Sequence, residues 1–238
     1  MINLKNRSEQ LEILDDFQEN AESLKLVFDD INRVNRLLGG YSITIREIAK
    51  LIEIHSKENY TLIDLGCGDG DMLREIVRFC RQKKIKVKCI GIDLNEDALH
   101  LARKASLEFP EIEYVHQNIL HLNTNDLNCD IIVTTLTMHH FTDTQLLIFL
   151  HKFIELASIG IIINDLQRSY WAYYLFKGFR RIFIKTKVAK TDGLISITRG
   201  FVKADLERYA KKLPSVSHSI QWKWAFRYVW VMQPNRLR

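Results

Sequence analysis

The feature that most constrains the fold of this chain is the alternation of short apolar runs with amphipathic segments between residues 61 and 165. We predict strands at the apolar runs 61–65, 87–93, 113–116, 130–135 and 160–165. The segments 72–81, 96–108 and 144–156 carry apolar residues at helical spacing, and we predict helices there. Strands that alternate with helices form parallel sheets through right-handed crossovers, so the pattern predicts a doubly wound α/β fold.

The flanking regions follow other patterns. The N-terminal stretch through His55 is predicted to be helical, with a break at Gly39 and Gly40. After Asp165 comes an aromatic and basic insertion, then a helix near 201–212 and two strands, 217–224 and 226–232, that can form a terminal hairpin. We predict a single domain made of a helical cap (1–56), a ligand-binding core (57–166), a lid insertion (167–200) and a last helix with the hairpin (201–238).

The composition excludes several classes of protein. Hydrophobic residues make up 47% of the 238 residues and charged residues 26%, which is typical of a globular protein and not of a disordered one. The net charge of +5 is too small to indicate nucleic-acid binding by itself. No apolar run is long enough to span a bilayer, and the polar N-terminus lacks a signal core, so we expect a cytoplasmic protein. The four scattered cysteines form no CxxC pair, and we predict no metal site.

A glycine-rich loop, DLGCGDG at 64–70, lies between the first predicted strand and the following helix. Glycines allow the backbone to turn sharply and to approach a ligand closely. Asp93 ends the next apolar run, where a carboxylate can accept hydrogen bonds from both ribose hydroxyls of a nucleotide. A surface turn followed by an unrelated carboxylate would explain each feature alone, but the two together in register favour a nucleotide site.

The spacing of the glycines distinguishes between nucleotides. The NAD fingerprint is G-x-G-x-x-G, whereas this loop has the order D-x-G-x-G-x-G. The loop at 64–70 therefore matches a pyrophosphate-binding turn only imperfectly. S-adenosylmethionine carries a zwitterionic methionine part and does not need such a turn.

Three segments, TLIDLGCGDG, CIGIDLNEDAL and CDIIVTTLTMHHFTD, resemble successive motifs of the class I S-adenosylmethionine-dependent methyltransferases. The TLTMHHF stretch is most similar to the subgroup that contains ubiquinone, menaquinone and natural-product methyltransferases. The resemblance extends from Thr61 to about Asp165. It implies a Rossmann-like, mostly parallel seven-stranded sheet with a C-terminal antiparallel hairpin, with S-adenosylmethionine as cofactor and S-adenosylhomocysteine as product.

The resemblance also assigns the cofactor contacts. The loop would lie against the methionine part and Asp93 would bind the ribose, while Asn118 stands where many relatives have an aspartate that contacts the adenine amine. An asparagine carbonyl oxygen can accept the same hydrogen bond, so this departure does not exclude adenine binding. Tyr41 is a further candidate, for the cofactor carboxylate. The full predicted set is Tyr41, Asp64, Gly66, Cys67, Gly68, Gly70, Asp93, Leu94, Asn118, Ile119, Thr135 and Leu136.

His139 and His140 follow the fourth predicted strand, at the edge of the sheet where doubly wound folds bind ligands. A histidine there can take a proton from an acceptor hydroxyl, because its ordinary pKa is near neutrality. Asp165 ends the neighbouring strand and can orient the imidazole. We predict His139 as the base, Asp165 as its orienter and His140 in support; a purely structural role for all three stays open.

The insertion between residues 167 and 200 is predicted to cover the same edge of the sheet as a lid over an apolar acceptor pocket, with Trp171 and Tyr174 in the pocket wall. Its basic residues could instead touch a membrane surface or an acidic carrier, or lie on the solvated face of a packed helix.

These features predict methyl transfer to a small or lipophilic acceptor, such as a phenol or enol oxygen in secondary metabolism, by an in-line displacement that needs alignment and proton removal. Alternatives are a carbon methyltransferase of quinone biosynthesis and a cofactor-binding protein without turnover. A nucleic-acid methyltransferase and a nicotinamide oxidoreductase are disfavoured by the lack of an NPPY-type motif and by the glycine spacing. We expect a monomer or homodimer that inserts no segment stably into a membrane, although peripheral contact is compatible with the sequence.

Overall fold

The computed structural model describes residues 2–17, 20–122 and 128–235. Its strands are β1 (Asn59–Leu65), β2 (Lys86–Asp93), β3 (Ile112–His116), β4 (Cys129–Thr135), β5 (Ala157–Leu166), β6 (Val216–Lys223) and β7 (Arg227–Pro234). Its helices are α1 (Ala21–Leu37), α2 (Gly40–Ile54), α3 (Asp71–Lys83), α4 (Glu96–Ala105), α5 (Asp143–Leu156), α6 (Tyr170–Phe183), α7 (Lys187–Arg199) and α8 (Lys203–Ala210). Among the described residues, no helix has the length and apolar character needed to cross a membrane.

The strands form one seven-stranded sheet in the order β3-β2-β1-β4-β5-β7-β6. Strands β1 to β5 are parallel, and β7 pairs antiparallel with both β5 and β6. The predicted mostly parallel sheet with a terminal antiparallel hairpin is therefore confirmed. The strand order reverses between β1 and β4, and sheets of this kind bind their ligands in the crevice at such a point.

The central strands β4 and β5 are covered on both faces, which explains why they are almost entirely buried, whereas the edge strands β3 and β6 carry exposed polar residues. Every residue of β4 except the last is buried; Ile131 and Val133 pack into the apolar cluster on one face and Ile132 into that on the other. Phe149 of α5 is fully buried in the same apolar cluster as Ile132, and its replacement by alanine should cost about 3–5 kcal/mol. This rigid core fixes the carboxyl ends of the strands, where the predicted site lies.

The N-terminal segment, residues 2–17, departs from the prediction. A helical N-terminus was expected, but only Ile13–Asp16 forms a short 3₁₀ turn there, and the first α-helix begins after Asn20. The reason is tertiary: the backbone N–H groups of Ile13 and Leu14 donate to the two carboxylate oxygens of Asp192 in α7, each at 2.9 Å. A side chain from another element satisfies these donors in place of a helix of their own.

The insertion after β5 folds as two helices, α6 and α7. Between them, the backbone N–H groups of Lys185 and Thr186 donate to Asp30 of α1, at 2.9 and 2.7 Å. At Gly193, a Cβ would lie 2.4 Å from the ring of Phe176, so any larger residue there would force this ring to move. The insertion is therefore anchored to α1 and to the N-terminal segment, and residues of both its helices line the crevice.

Candidate active site

The loop after β1 has a backbone that only glycine adopts without strain. Gly66, Gly68 and Gly70 have φ values of +74°, +54° and +74°. A Cβ at Gly66 would lie 2.3 Å from Thr137, and one at Gly70 would lie 2.1 Å from the hydroxyl of Tyr114. The glycines thus let the loop pack closely against the segment after β4 and against β3, and Gly66, Cys67 and Gly68 line a cavity.

Asp93, at the end of β2, is fixed by this loop. Its Oδ2 accepts a hydrogen bond from the Gly68 N–H at 2.8 Å, and its Oδ1 accepts one from the Asn95 N–H at 2.9 Å. Each carboxylate oxygen has further lone pairs for a ligand. The carboxylate is therefore pre-oriented at the cavity wall before any ligand binds.

Asp64 is a buried carboxyl group without a partner. It is 2% exposed, its Oδ1 makes no hydrogen bond, and it lines the cavity. Burial and then the charge of Asp93 raise the pKa of Asp64 to about 8. A cationic ligand would relieve both effects, because it would supply the missing partner and offset the repulsion between the carboxylates.

One cavity of about 950 Å³ runs from this loop to the lid. Eleven of the twelve predicted cofactor residues line it, all except Gly70: Tyr41, Asp64, Gly66, Cys67, Gly68, Asp93, Leu94, Asn118, Ile119, Thr135 and Leu136. Cavities of this size accommodate ligands of several hundred daltons.

Two of these residues have other partners as well. The Asn118 side-chain oxygen accepts a hydrogen bond from the Leu120 N–H at 2.9 Å, which leaves one lone pair for a ligand. The Tyr41 hydroxyl lies 2.5 Å from Asp71 Oδ2 and 3.1 Å from Asn32 Oδ1, so its only proton already has acceptors within the protein. The hydroxyl is thus not a free donor for a cofactor carboxylate, and the role predicted for Tyr41 stays a prediction.

At the other end of the cavity, His139 meets Asp165. Strands β4 and β5 pair in register, with Thr135 beside Asn164, so the chain after β4 lies against Asp165. His139 Nδ1 is 2.7 Å from Asp165 Oδ1, and the His139 N–H donates to Asp165 Oδ2 at 3.2 Å. Both side chains are 2% exposed. The carboxylate fixes the ring so that Nε2 is turned away from it.

The N-terminal segment brings two carboxylates that the sequence motifs did not reveal. Glu12 Oε1 is 3.2 Å from His139 Nε2, although the two atoms are not aligned for a hydrogen bond. Asp15 Oδ1 is 2.7 Å from His140 Nδ1. Burial alone would lower the pKa of His139, but Asp165 and Glu12 outweigh it and raise the pKa to about 9. The imidazole is therefore charged at neutral pH while both carboxylates are in place.

Two arginines hold this arrangement together. Arg7 donates to the carbonyl oxygens of His139 and Phe141, at 3.0 and 2.9 Å. Arg199, from α7, donates to the carbonyl oxygens of His139 and His140, at 3.1 and 2.6 Å. The turn after β4 is thus clamped to the N-terminal segment and to the lid.

The same cluster has the composition of a metal site. Glu12, His139 and His140 each offer one ligand atom, and the three atoms lie within 4.8 Å of one another. Imidazole nitrogens with a carboxylate suit first-row divalent cations. A cation would occupy the same Nε2 of His139 that a proton-accepting role requires, so the two roles exclude each other.

The predicted acceptor-pocket residues Trp171 and Tyr174 do not line the cavity. They lie on the outer face of α6 and are 73% and 52% exposed. Phe176 and Phe179, on the opposite face of the same helix, line the cavity instead. The aromatic content of the segment indicated the correct helix, but a helical periodicity with aromatic residues on both faces does not show which face is inward.

The fold and the crevice define a Rossmann-like class I methyltransferase architecture. A model of the methyltransferase domain family matches residues 56–228 of the chain, and the chain belongs to this family. The prediction of a class I S-adenosylmethionine-dependent methyltransferase is therefore confirmed.

Individual relatives are distant. The chain is 35% identical over 94 residues to a carboxy-S-adenosyl-L-methionine synthase from Desulfotalea psychrophila, covering 39% of the chain and 36% of the relative. It is 28% identical over 127 residues to a ubiquinone biosynthesis O-methyltransferase from Hydrogenovibrio crunogenus, covering 52% of the chain and 49% of the relative. The chain thus matches less than half the length of these curated relatives.

Among solved structures, the plantazolicin methyltransferase BpumL, in complex with a monoazolic desmethylPZN analog and S-adenosylhomocysteine, superposes with a TM-score of 0.69 at 16% identity. The superposition covers 94% of this chain and 93% of that one. At this identity the likeness shows a shared fold.

Proposed function

We propose that this protein transfers a methyl group from S-adenosylmethionine to a hydroxyl oxygen of a small or lipophilic acceptor, a phenol or enol of polyketide or quinone type. One observation carries the proposal: a single cavity joins the glycine loop and Asp93 to the buried His139–Asp165 pair. A cofactor held at one end would present its reactive methyl group toward a proton-accepting group at the other.

The cofactor end fits S-adenosylmethionine, which supplies an electrophilic methyl group when bound. Asp93 would accept hydrogen bonds from the ribose hydroxyls, and Asn118 would accept one from the adenine amine. The unpartnered Oδ1 of Asp64 would accept one from the ammonium group of the methionine part. Gly66 and Gly68 add no Cβ to the cavity wall, which favours a close approach of the ligand to the loop backbone.

At the acceptor end, His139 would remove the acceptor proton, with Asp165 orienting the imidazole and His140 in support. Because its pKa is raised to about 9, the imidazole must first become neutral. An acceptor hydroxyl that displaces Glu12 from Nε2 would favour this, since it separates the ring from one of the two carboxylates that stabilise its charged form. The apolar wall formed by Phe176 and Phe179 favours a lipophilic acceptor.

Two alternatives remain open. A carbon methyltransferase would use the same cofactor end and would also need a base, but its acceptor would present a carbanion-forming carbon. A binding protein without turnover would retain cofactor affinity only. The 28% identity to a protein named as an O-methyltransferase favours the oxygen acceptor.

The test begins with calorimetry on S-adenosylmethionine, S-adenosylhomocysteine and NAD, where we expect binding of the two adenosyl ligands only. Transfer of a labelled methyl group to a panel of phenols and enols follows, with mass spectrometry to locate the methylated atom. Binding of NAD alone would overturn the proposal. Cofactor binding with label on carbon, or with no transfer to any acceptor, would favour one of the two alternatives.

A further inference from the structure

A buried arginine in the cavity wall has no role in the chemistry described so far. Arg227, the first residue of β7, is 2% exposed and lines the cavity. Its Nη2 donates to Asn35 Oδ1 at 2.9 Å, but Nε and Nη1 make no hydrogen bond. A buried charge with unsatisfied donors is costly unless an anion compensates it.

Asp165 does not supply that anion. It is close enough to stabilise the charge of Arg227, but its oxygens already accept from His139 Nδ1, the His139 N–H and the Leu166 N–H. No salt bridge joins Arg227 to any carboxylate in the part of the chain that the structure describes. Burial lowers the pKa of Arg227 only to about 10, so the group keeps its charge at neutral pH.

The start of α2 adds a second electropositive feature. The helix begins at Gly40, and the preceding Gly39 provides no side-chain cap. A Cβ at Gly40 would lie 3.0 Å from Arg227 Cζ, so the guanidinium sits against the first turn of the helix. Helix N-termini carry partial positive charge and favour anions.

From these contacts we propose that Arg227 binds a carboxylate inside the cavity, carried by the methyl acceptor. A planar guanidinium with free N–H groups matches a carboxylate well. The inference rests on the proposed function and specifies its substrate class as a carboxylic acid that also bears the methylated hydroxyl.

The position in the sheet favours the acceptor as the source of the carboxylate. Arg227 pairs with Leu166 of β5, and β7 is separated from the glycine loop of β1 by three strand spacings, or about 14 Å. The alternative source is the carboxylate of the cofactor's methionine part, which a long arginine side chain could also reach.

The first experiment uses benzoate and its neutral isostere benzamide as probes, with and without S-adenosylhomocysteine. Wild-type protein and the control Arg46→Met, which changes an exposed arginine, should bind benzoate at least about tenfold more tightly than benzamide. Arg227→Met should lose this preference, and Arg227→Lys should recover part of it. Without ligand, Arg227→Met should melt at a temperature equal to or above that of wild type, because it removes an unpaired buried charge.

A second arm separates the two sources of the carboxylate. If Arg227 binds the acceptor, Arg227→Met should bind S-adenosylhomocysteine and 5′-methylthioadenosine, which lacks the amino-acid part, as wild type does. A tenfold loss for S-adenosylhomocysteine alone would assign Arg227 to the cofactor and overturn the acceptor assignment. Equal binding of benzoate and benzamide by wild type, or a marked loss of stability in Arg227→Met, would overturn the proposed anion site. Failure of wild type to bind S-adenosylhomocysteine would instead refute the proposed function. The comparison of benzoate with benzamide is also made without S-adenosylhomocysteine, so it tests the anion site independently of the proposed function.

Discussion

The glycine-loop end of the cavity and the end that holds His139 differ in how their residues are distributed along the chain. The loop end is built from two short motifs, 64–70 and 93–95, each at the end of a strand. The His139 end combines Glu12, His139, Asp165 and Arg227, which come from both termini and the middle of the chain. An end of the cavity whose residues are close together in the sequence can be recognised from sequence motifs. An end that is assembled from distant segments depends on tertiary packing.

The two ends also differ in electrostatics. Asp64 and Asp93 repel one another at the loop end, so this end favours a cation. At the other end the carboxylates Glu12 and Asp165 already flank an imidazole, and Arg227 has free donors. If this comparison is correct, substitutions at one end should change cofactor affinity and those at the other should change turnover or acceptor affinity.

The largest effect is expected at the acceptor end. His139→Ala should lower turnover by about 10²- to 10⁴-fold while affinity for S-adenosylhomocysteine is retained, because general-base catalysis contributes a factor of that size. Asp165→Asn should also lower turnover, and the double variant should be strongly sub-additive, since both residues serve one step. Steady-state kinetics measure the turnover of each variant, and calorimetry measures its affinity for S-adenosylhomocysteine. Near-normal turnover in both single variants would show that alignment alone suffices, and a loss confined to His140→Ala would move the base to the other imidazole.

At the loop end, Asp93→Ala should weaken binding of S-adenosylhomocysteine by about 1–3 kcal/mol, because the ribose hydroxyls lose a charged acceptor that two backbone N–H groups pre-orient. Calorimetry gives the affinity, and Asp97→Ala, an exposed aspartate in the first turn of α4, is the matched control. An unchanged affinity would exclude Asp93 from the cofactor contacts.

The pKa of Asp64 predicts how cofactor affinity depends on pH. In the free protein this pKa is about 8, and a bound ammonium group should lower it, so binding favours the ionised carboxylate. Affinity for S-adenosylhomocysteine should therefore rise with pH, by up to about tenfold per unit between pH 6 and 8, and then level off. Asp64→Asn should remove this slope. A flat profile in wild type would mean that the cofactor does not contact Asp64.

A smaller effect is expected in the lid. Phe176→Ala should raise the Michaelis constant of a lipophilic acceptor several-fold, since about 1.5–3 kcal/mol accompanies full burial of such a side chain and only part of it faces the ligand. Trp171→Ala on the outer face of the same helix is the control and should leave both Michaelis constants unchanged. The reverse pattern would place the acceptor outside the cavity.

No effect is expected from chelation. If Glu12, His139 and His140 act without a metal, dialysis against a chelator should leave turnover unchanged, and added Zn²⁺ should inhibit by occupying His139 Nε2. Turnover that a chelator abolishes and a divalent cation restores would make this cluster a metal centre and would remove the free-base role from His139.

What the sequence determined by itself is the sheet and the loop end. Strand and helix periodicity reflect burial on one or both faces of each element, and DLGCGDG and Asp93 act within a few residues of the strand ends that present them. The His139–Asp165 contact could be expected as well, because parallel neighbouring strands end at the same edge.

Only the tertiary structure decided the rest of the acceptor end. Glu12 reaches His139 because an extended N-terminal segment is tied to α7 through Asp192, and no local pattern encodes a contact across 127 residues (139 − 12). The position of Phe176 in the cavity wall in place of Trp171 depends on which face of α6 meets its neighbours. The position of Arg227 in the same wall depends on how β7 pairs with β5. Contacts between distant segments arise from packing of the whole chain, and local propensities do not specify them.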